Sequence, residues 1–171
     1  ADAYRKLVEH LKIDTLILID GGVDSIMRGD ESAPGTMIED SITLAAVRDL
    51  DIKTKLLACV GFGTEVEERL CHYLALENMA ALMKAGAFRG SCSLAPQMPA
   101  FQAYKAACLY AWEVPDQKPS HISARIIPAV DGEFGDFHLY SPRVEVCISP
   151  LMGLYWFFDV DMVCDRNMLI T

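Results

Sequence analysis

The feature that most constrains this chain is an apolar run without polar alternation, Leu16 to Ile19 in DTLILID, which breaks abruptly into GGVDSIMRGDE, a stretch crowded with glycines and acids. A run of that kind reads as a strand covered on both faces, as in a parallel sheet. Upstream, Tyr4, Leu7, Val8 and Leu11 keep helical spacing. Downstream, Thr36 and Glu39 have the T-x-x-E spacing of a capping box, which predicts a helix opening at Met37 in GTMIEDSITLAAVRDL. KLLACVG, residues 55 to 61, is a second buried-strand candidate. It is followed by another T-x-x-E, Thr64 to Glu67, and a helix that Gly86 would stop. Strand, helix, strand makes a β-α-β unit with a right-handed crossover, so both strands end at one edge of the sheet.

The second half is less regular. FRGSCSLAPQMP reads as a loop, Met98 to Trp112 as a helix, and EVPDQKPS as a proline-rich connection. A helix from about Ser120 through Ile127, a turn into a strand at DGEFGDFHLY, a strand at RVEVCISP and a short terminal helix at DVDMVCDRN complete the expectation. The aromatic group Tyr155, Trp156, Phe157 and Phe158 suits a core or a subunit contact better than a cofactor stack. The fold class expected from this order is α/β, a Rossmann-like, mainly parallel sheet flanked by helices.

With 171 residues, 52% hydrophobic and 23% charged, the chain is long enough for one compact domain and too short for two. A net charge of -9 repels a phosphate backbone, and the scattered Lys and Arg residues supply no basic patch, so nucleic acid is not an expected partner. Cys59, Cys71, Cys92, Cys108, Cys147 and Cys164 form no C-x-x-C pair and lie mostly in apolar segments, which fits free thiols in a reducing, cytoplasmic setting better than disulfides or a zinc site. The longest apolar run, LMGLYWFF, falls well short of the roughly 20 residues that span a bilayer. The chain opens with Ala1 rather than Met, as expected of a processed protein or of one part of a longer polypeptide.

In open α/β sheets, ligands settle beyond the carboxyl ends of the strands, where helix N-termini present free N–H groups. Asp20 would close the first strand at such an edge, with Asp24 close behind. These two are the candidate catalytic acids and metal ligands, and Asp30 is a third candidate ligand. Oxygen donors of this type suit magnesium or manganese, often together with a substrate phosphate. Gly21 and Gly22 would let a ligand approach the backbone, and Ser25 or Arg28 would contact its anionic group. The same residues also suit a plain turn, in which Asp side chains bond nearby backbone N–H groups; Asp30 and Glu31 would then be solvated, and Arg28 would pair with a neighbouring acid. Glu39 reads as a cap and Asp40 as a favourable charge in a first helical turn. GGVDS has part of the S-G-G-x-D-S phosphate loop of ATP pyrophosphatases. Asp20 stands in place of its first serine, however, and IMRGDESAPG is unlike the helix that loop requires.

Among the histidines, His10, His72 and His121 have no metal-ligand spacing; His138, with Glu133 and Asp136, is the one set worth testing, and a structural role suits it better. No G-x-S-x-G elbow is present, and nothing near Ser91 or Cys92 marks a base. Two functional readings remain. One is an enzyme binding a small phosphorylated or nucleotide-like ligand through a divalent cation. The other is a non-catalytic structural or interaction protein that self-associates or pairs with another polypeptide.

Four blocks, LILIDGGVDSIMRGDE, GTMIEDSITLAAV, GEFGD and ISPLMGLYWFFD, together resemble the family known as domain of unknown function 1152. The resemblance implies a Rossmann-type α/β fold. It also implies that this chain corresponds to the C-terminal portion of longer members, whose N-terminal portion carries its own glycine-rich loop. The sheet would then be incomplete at its N-terminal side, and the partner would be either a second copy or an N-terminal polypeptide. Asp20, Gly21, Gly22, Asp24, Ser25, Gly29, Asp30 and Glu31 occupy the family's acidic block, with no catalytic role to transfer.

Overall fold

The computed structural model describes residues 1–33, 35–65, 69–137 and 146–171. Its core is a four-stranded sheet of order β1-β2-β6-β3. Helix α1 (Asp2–Leu11) leads into β1 (Thr15–Asp20), and α2 (Met37–Arg48) connects it to β2 (Thr54–Cys59). Helix α3 (His72–Lys84), β3 (Phe88–Ser93), α4 (Pro99–Glu113) and α5 (Ser123–Asp131) follow. A two-residue ladder of β4 (Gly135–Asp136) with β5 (Cys147–Ile148) precedes β6 (Leu154–Asp159) and the short α6 (Val160–Cys164).

The expected parallel pair is present. β1 runs alongside β2 in unbroken register from Thr15 opposite Thr54 to Asp20 opposite Cys59. The expectation of a mainly parallel, Rossmann-like sheet is corrected, because β6 inserts between β2 and β3 and is antiparallel to both. The protein is a mixed α/β structure in whose four-stranded sheet one of the three strand pairings is parallel. The aromatic block, read from sequence as suited to a core or a subunit contact, is this inserted strand. Its alternation sends Trp156 and Phe158 to one face, against Phe88, and Tyr155 to the other. FRGSCS, read as a loop, is edge strand β3, whose serines and glycine hide its strand character.

Two hydrophobic clusters lie on either side of β6. The larger gathers Leu44 and Val47 of α2, Met79 and Leu82 of α3, and Val160 and Val163 against Leu57 and Phe158. The smaller joins Phe101 of α4 and Ile126, Ile127 and Val130 of α5 to Ile148 and Met152. The expectation that β1 is covered on both faces also fails. Leu16 and Leu18 pack against the larger cluster, while Ile17 and Ile19 remain 48% and 69% exposed. Both capping boxes differ from expectation. α2 does begin at Met37, but the Thr36 side chain makes no cap bond. α3 begins at His72 rather than near Thr64. Glu67 lies outside the described residues, as do His138 and residues 143–145 of the strand expected at RVEVCISP, whose described part holds β5. Among the described residues, no helix is long and apolar enough to cross a membrane.

Candidate functional site

Because β1 and β2 are parallel and in register, the loops leaving Asp20 and Cys59 emerge at the same end of the sheet. The second loop sends Glu65 across to the first. Its Oε1 accepts hydrogen bonds from the backbone N–H groups of Val23 at 2.9 Å and Asp24 at 3.0 Å. Gly22 is what allows this crossing, since a Cβ there would sit 2.1 Å from Glu65 Oε1. Asp24 opens a 3-10 turn, Asp24–Ile26, and is only 3% exposed. Its Oδ2 accepts from Thr36 N at 2.5 Å and from Thr36 Oγ1 at 2.7 Å. Thr36 therefore fixes Asp24 instead of capping α2. Gly35, at φ 72°, brings the chain over the same oxygen, where a Cβ would lie 2.7 Å from Asp24 Oδ2. The chain then enters α2, whose first turn carries Asp40.

These constraints bring Asp20, Asp24 and Asp40 together, with one carboxylate oxygen from each lying within 4.8 Å of the others. Glu65, 3% exposed, adjoins them as a fourth carboxyl. Among the described residues, no N–H or O–H donates to Glu65 Oε2 or to Asp40 Oδ2, and Thr64 Oγ1, on the residue before Glu65, is equally without a partner. Only a proton carried by the carboxyls themselves would link Glu65 and Asp40 to Asp24. Burial, reinforced by Asp24 and the Asp20 charge, pushes the Glu65 carboxyl up to about 10. Burial and the charges of Asp20 and Asp24 push Asp40 up to about 8. Near neutral pH both acids are therefore largely protonated.

Asp20 is held by Ser25, whose Oγ donates to its Oδ2 at 2.5 Å and lies 3.4 Å from Cys59 Sγ. Burial, with the Asp20 charge next, raises the Cys59 thiol well above its usual range. A cluster of oxygen donors with buried, unpartnered oxygens fits a hard divalent cation, and Asp20, Asp24 and Asp40 are the residues able to hold it.

Of the residues singled out from sequence, Asp20, Asp24 and Ser25 come together here. Gly22 lies beneath Glu65, and Gly21 lies beneath Ile122, whose Cγ2 would be 3.2 Å from an added Cβ. Asp30 stands outside the triad and faces Arg28, with 3.5 Å between Oδ2 and Nη2. Glu31 is an anchor rather than a solvated acid. It accepts from Arg28 N, Gly29 N and Asn78 Nδ2, and although burial raises its pKa, these hydrogen bonds together lower it below the usual value. His10 and His121 are exposed, and His72 packs against Phe62 at a tilt of 41° with ring centroids 5.2 Å apart. Asp40 and Glu65 were missed. A signal for Glu65 was present, because a β-α-β unit delivers the loop after its second strand to the same edge as the loop after its first. Asp40 lies in the first turn of the helix that returns from that edge.

The pattern of the family described as Protein of unknown function (DUF1152) matches residues 1–171, and the chain belongs to this family. No curated protein and no solved structure matches it.

Proposed function

We propose that this member of the family is a metal-assisted enzyme whose Asp20, Asp24 and Asp40 hold a magnesium or manganese ion, and that the ion receives a small phosphorylated or nucleotide-like ligand. The observation that carries this reading is the convergence of three carboxylate oxygens within 4.8 Å beside a buried Glu65 whose Oε2 has no donor among the described residues. Crowding acids in this way costs stability unless protons or a cation neutralise them. A magnesium-type ion takes one or two carboxylates as a rule and keeps positions open for water and phosphate oxygens. It would polarise a bound phosphoryl or carbonyl oxygen, which suits a hydrolase or a transferase.

The chain's own residues divide the work. Ser25 orients Asp20 through its short hydrogen bond, and Thr36 orients Asp24 through two. Glu65 ties the second loop to the first at Val23 and Asp24. Arg28, half exposed on the same loop, is the group we assign to the ligand's anionic end, with its Asp30 contact giving way.

Thermal unfolding with added magnesium or manganese tests the site. Wild type should be stabilised in proportion to the logarithm of ion concentration above the dissociation constant, as mass action requires. Asp20→Asn with Asp24→Asn should lose that response. An equal response in both proteins, or none in wild type, rejects the site. The exposed aliphatic residues of β1 favour self-association as an additional property, one independent of this chemistry.

A further inference from the structure

The two edges of the sheet are built differently. β3 is protected: its register breaks between Phe88 and Gly90, Gly90 sits at φ 116°, and Arg89, Ser91 and Ser93 line it. Bulges, charges and polar side chains of this kind discourage strand addition. β1 has none of them. All six of its residues are in unbroken register with β2, none is proline or a cation, and its single acid, Asp20, stands at its end. Ile17 and Ile19 project from its uncovered face, and Leu7 and Leu11 of the preceding helix are exposed as well.

The hydrogen bonds to β2 show which backbone groups the edge leaves open. Thr54 N donates to Asp14 O at 3.1 Å and Val60 N to Asp20 O at 3.0 Å. Strand backbones alternate, so the even-numbered residues from Asp14 to Asp20 turn toward β2. The N–H and C=O groups of Thr15, Ile17 and Ile19 therefore point outward. Among the described residues, no strand pairs with them.

We propose that β1 docks antiparallel on β1 of a second copy across a two-fold axis, joining two four-stranded sheets into one continuous sheet. The sequence of the edge selects this occupant because it is complementary to itself. Outward-facing residues must pair with outward-facing residues, so the pairing joins odd positions to odd positions. The register centred on Leu18 sets Ile17 opposite Ile19 of the other copy, an aliphatic pair on the open face, and leaves each Asp20 opposite a Leu16. The adjacent register, centred on Ile17, would set Asp14 directly opposite Asp20 twice over, and like charges so placed are destabilising. The pairing is an isologous contact that closes at two subunits, so it consumes the exposed edge without starting a fibre.

Sedimentation equilibrium of the whole chain across the micromolar to submillimolar range tests the proposal. The expected species has twice the monomer mass. Ile19→Lys should raise the dimer dissociation constant about tenfold or more, because it replaces one member of each Ile17–Ile19 pair by a cation, and a charge on an edge strand discourages strand addition. Its side chain is solvent-facing within one subunit, so circular dichroism and thermal unfolding of the monomer should hold. Ile17→Pro removes only an outward N–H, which edge strands tolerate, and should also give a folded monomer. For register, Ile17→Cys mixed with Ile19→Cys should form an interchain disulfide on oxidation beyond that of the parent protein, while Ile17→Cys alone should not. A wild-type chain that stays monomeric through submillimolar concentration overturns the proposal, and so does a dimer unaffected by Ile19→Lys. Removal of divalent ions should leave the mass unchanged, so failure here is distinguishable from failure of the metal site.

Discussion

Replacing Gly22 by alanine should damage the protein through Glu65, and the damage should vanish when Glu65 is removed. The added Cβ would lie 2.1 Å from Glu65 Oε1 and 2.5 Å from its Cδ, so the carboxyl must leave its place. Leaving breaks its hydrogen bonds with Val23 N and Asp24 N, both in buried residues. A buried donor left unsatisfied costs about 1–3 kcal/mol, so two of them put the loss at about 2–6 kcal/mol. In a Glu65→Ala background those donors are already orphaned and the space over Gly22 is open, so the same glycine change should cost below about 1 kcal/mol. Equilibrium urea unfolding in a chelator, followed by Trp112 and Trp156 fluorescence, measures all four corners of the cycle. Glu65→Gln is the control for charge: an acid raised to about 10 is uncharged at neutral pH, so the amide should lie within about 1 kcal/mol of wild type. Equal costs for Gly22→Ala with and without Glu65 would refute the reasoning, because the glycine would then be needed for something other than the crossing carboxyl.

Without metal, stability should fall as pH rises. Asp40 and Glu65 titrate from about 8 and about 10 in the folded protein, against ordinary values of 3.8 and 4.5, so between these limits the folded state binds more protons than the unfolded chain. Their contribution is complete below pH 4 and is lost as pH climbs toward 10, at up to about 1.4 kcal/mol per pH unit for each group. Denaturation midpoints of Asp40→Asn with Glu65→Gln should show a visibly shallower decline than wild type, and parallel declines would contradict the assignment. Thiol labelling with a chromogenic disulfide reagent should divide the six free cysteines. Cys71, Cys92 and Cys147 are exposed and should react quickly, whereas Cys59 and Cys164 are buried and should wait for denaturant. Rapid labelling of Cys59 in the native protein would mean that the strand ends open far more readily than their packing implies.

The parallel pair β1–β2 was legible because each strand is an apolar run ended by glycine, and α2 and α4 were legible from spacing together with Thr36 and Met98 at their starts. The insertion of β6 was not. A strand as aromatic as LYWFFD states that it will be buried, but its neighbours are set by long-range pairing with Leu57 and Ala58, which no local pattern encodes. The same limit explains the site. Asp20 and Asp24 stand together in the sequence, while Asp40 and Glu65 reach them only through the return of α2 and the parallel register of β2. Local reading also mistook the role of Thr36, whose hydroxyl served equally well as a cap or as a donor to a distant acid until tertiary structure chose the acid.

The acidic centre also explains why local rules break down where they do. Gly22 and Gly35 each leave room for a carboxyl, Thr36 gives up its cap, and Asp40 and Glu65 take up positions that hold their acids protonated near neutral pH. Each departure costs stability by itself, and all of them point at one small volume beyond the ends of β1 and β2. A fold selected for stability alone would replace at least one of these acids with a neutral isostere, since burying unpaired carboxylates is among the most expensive arrangements available to a protein. The proposed cation would answer this set, because a divalent charge at that volume offsets both the burial that chiefly raises Asp40 and Glu65 and the nearby acidic charges that add to it.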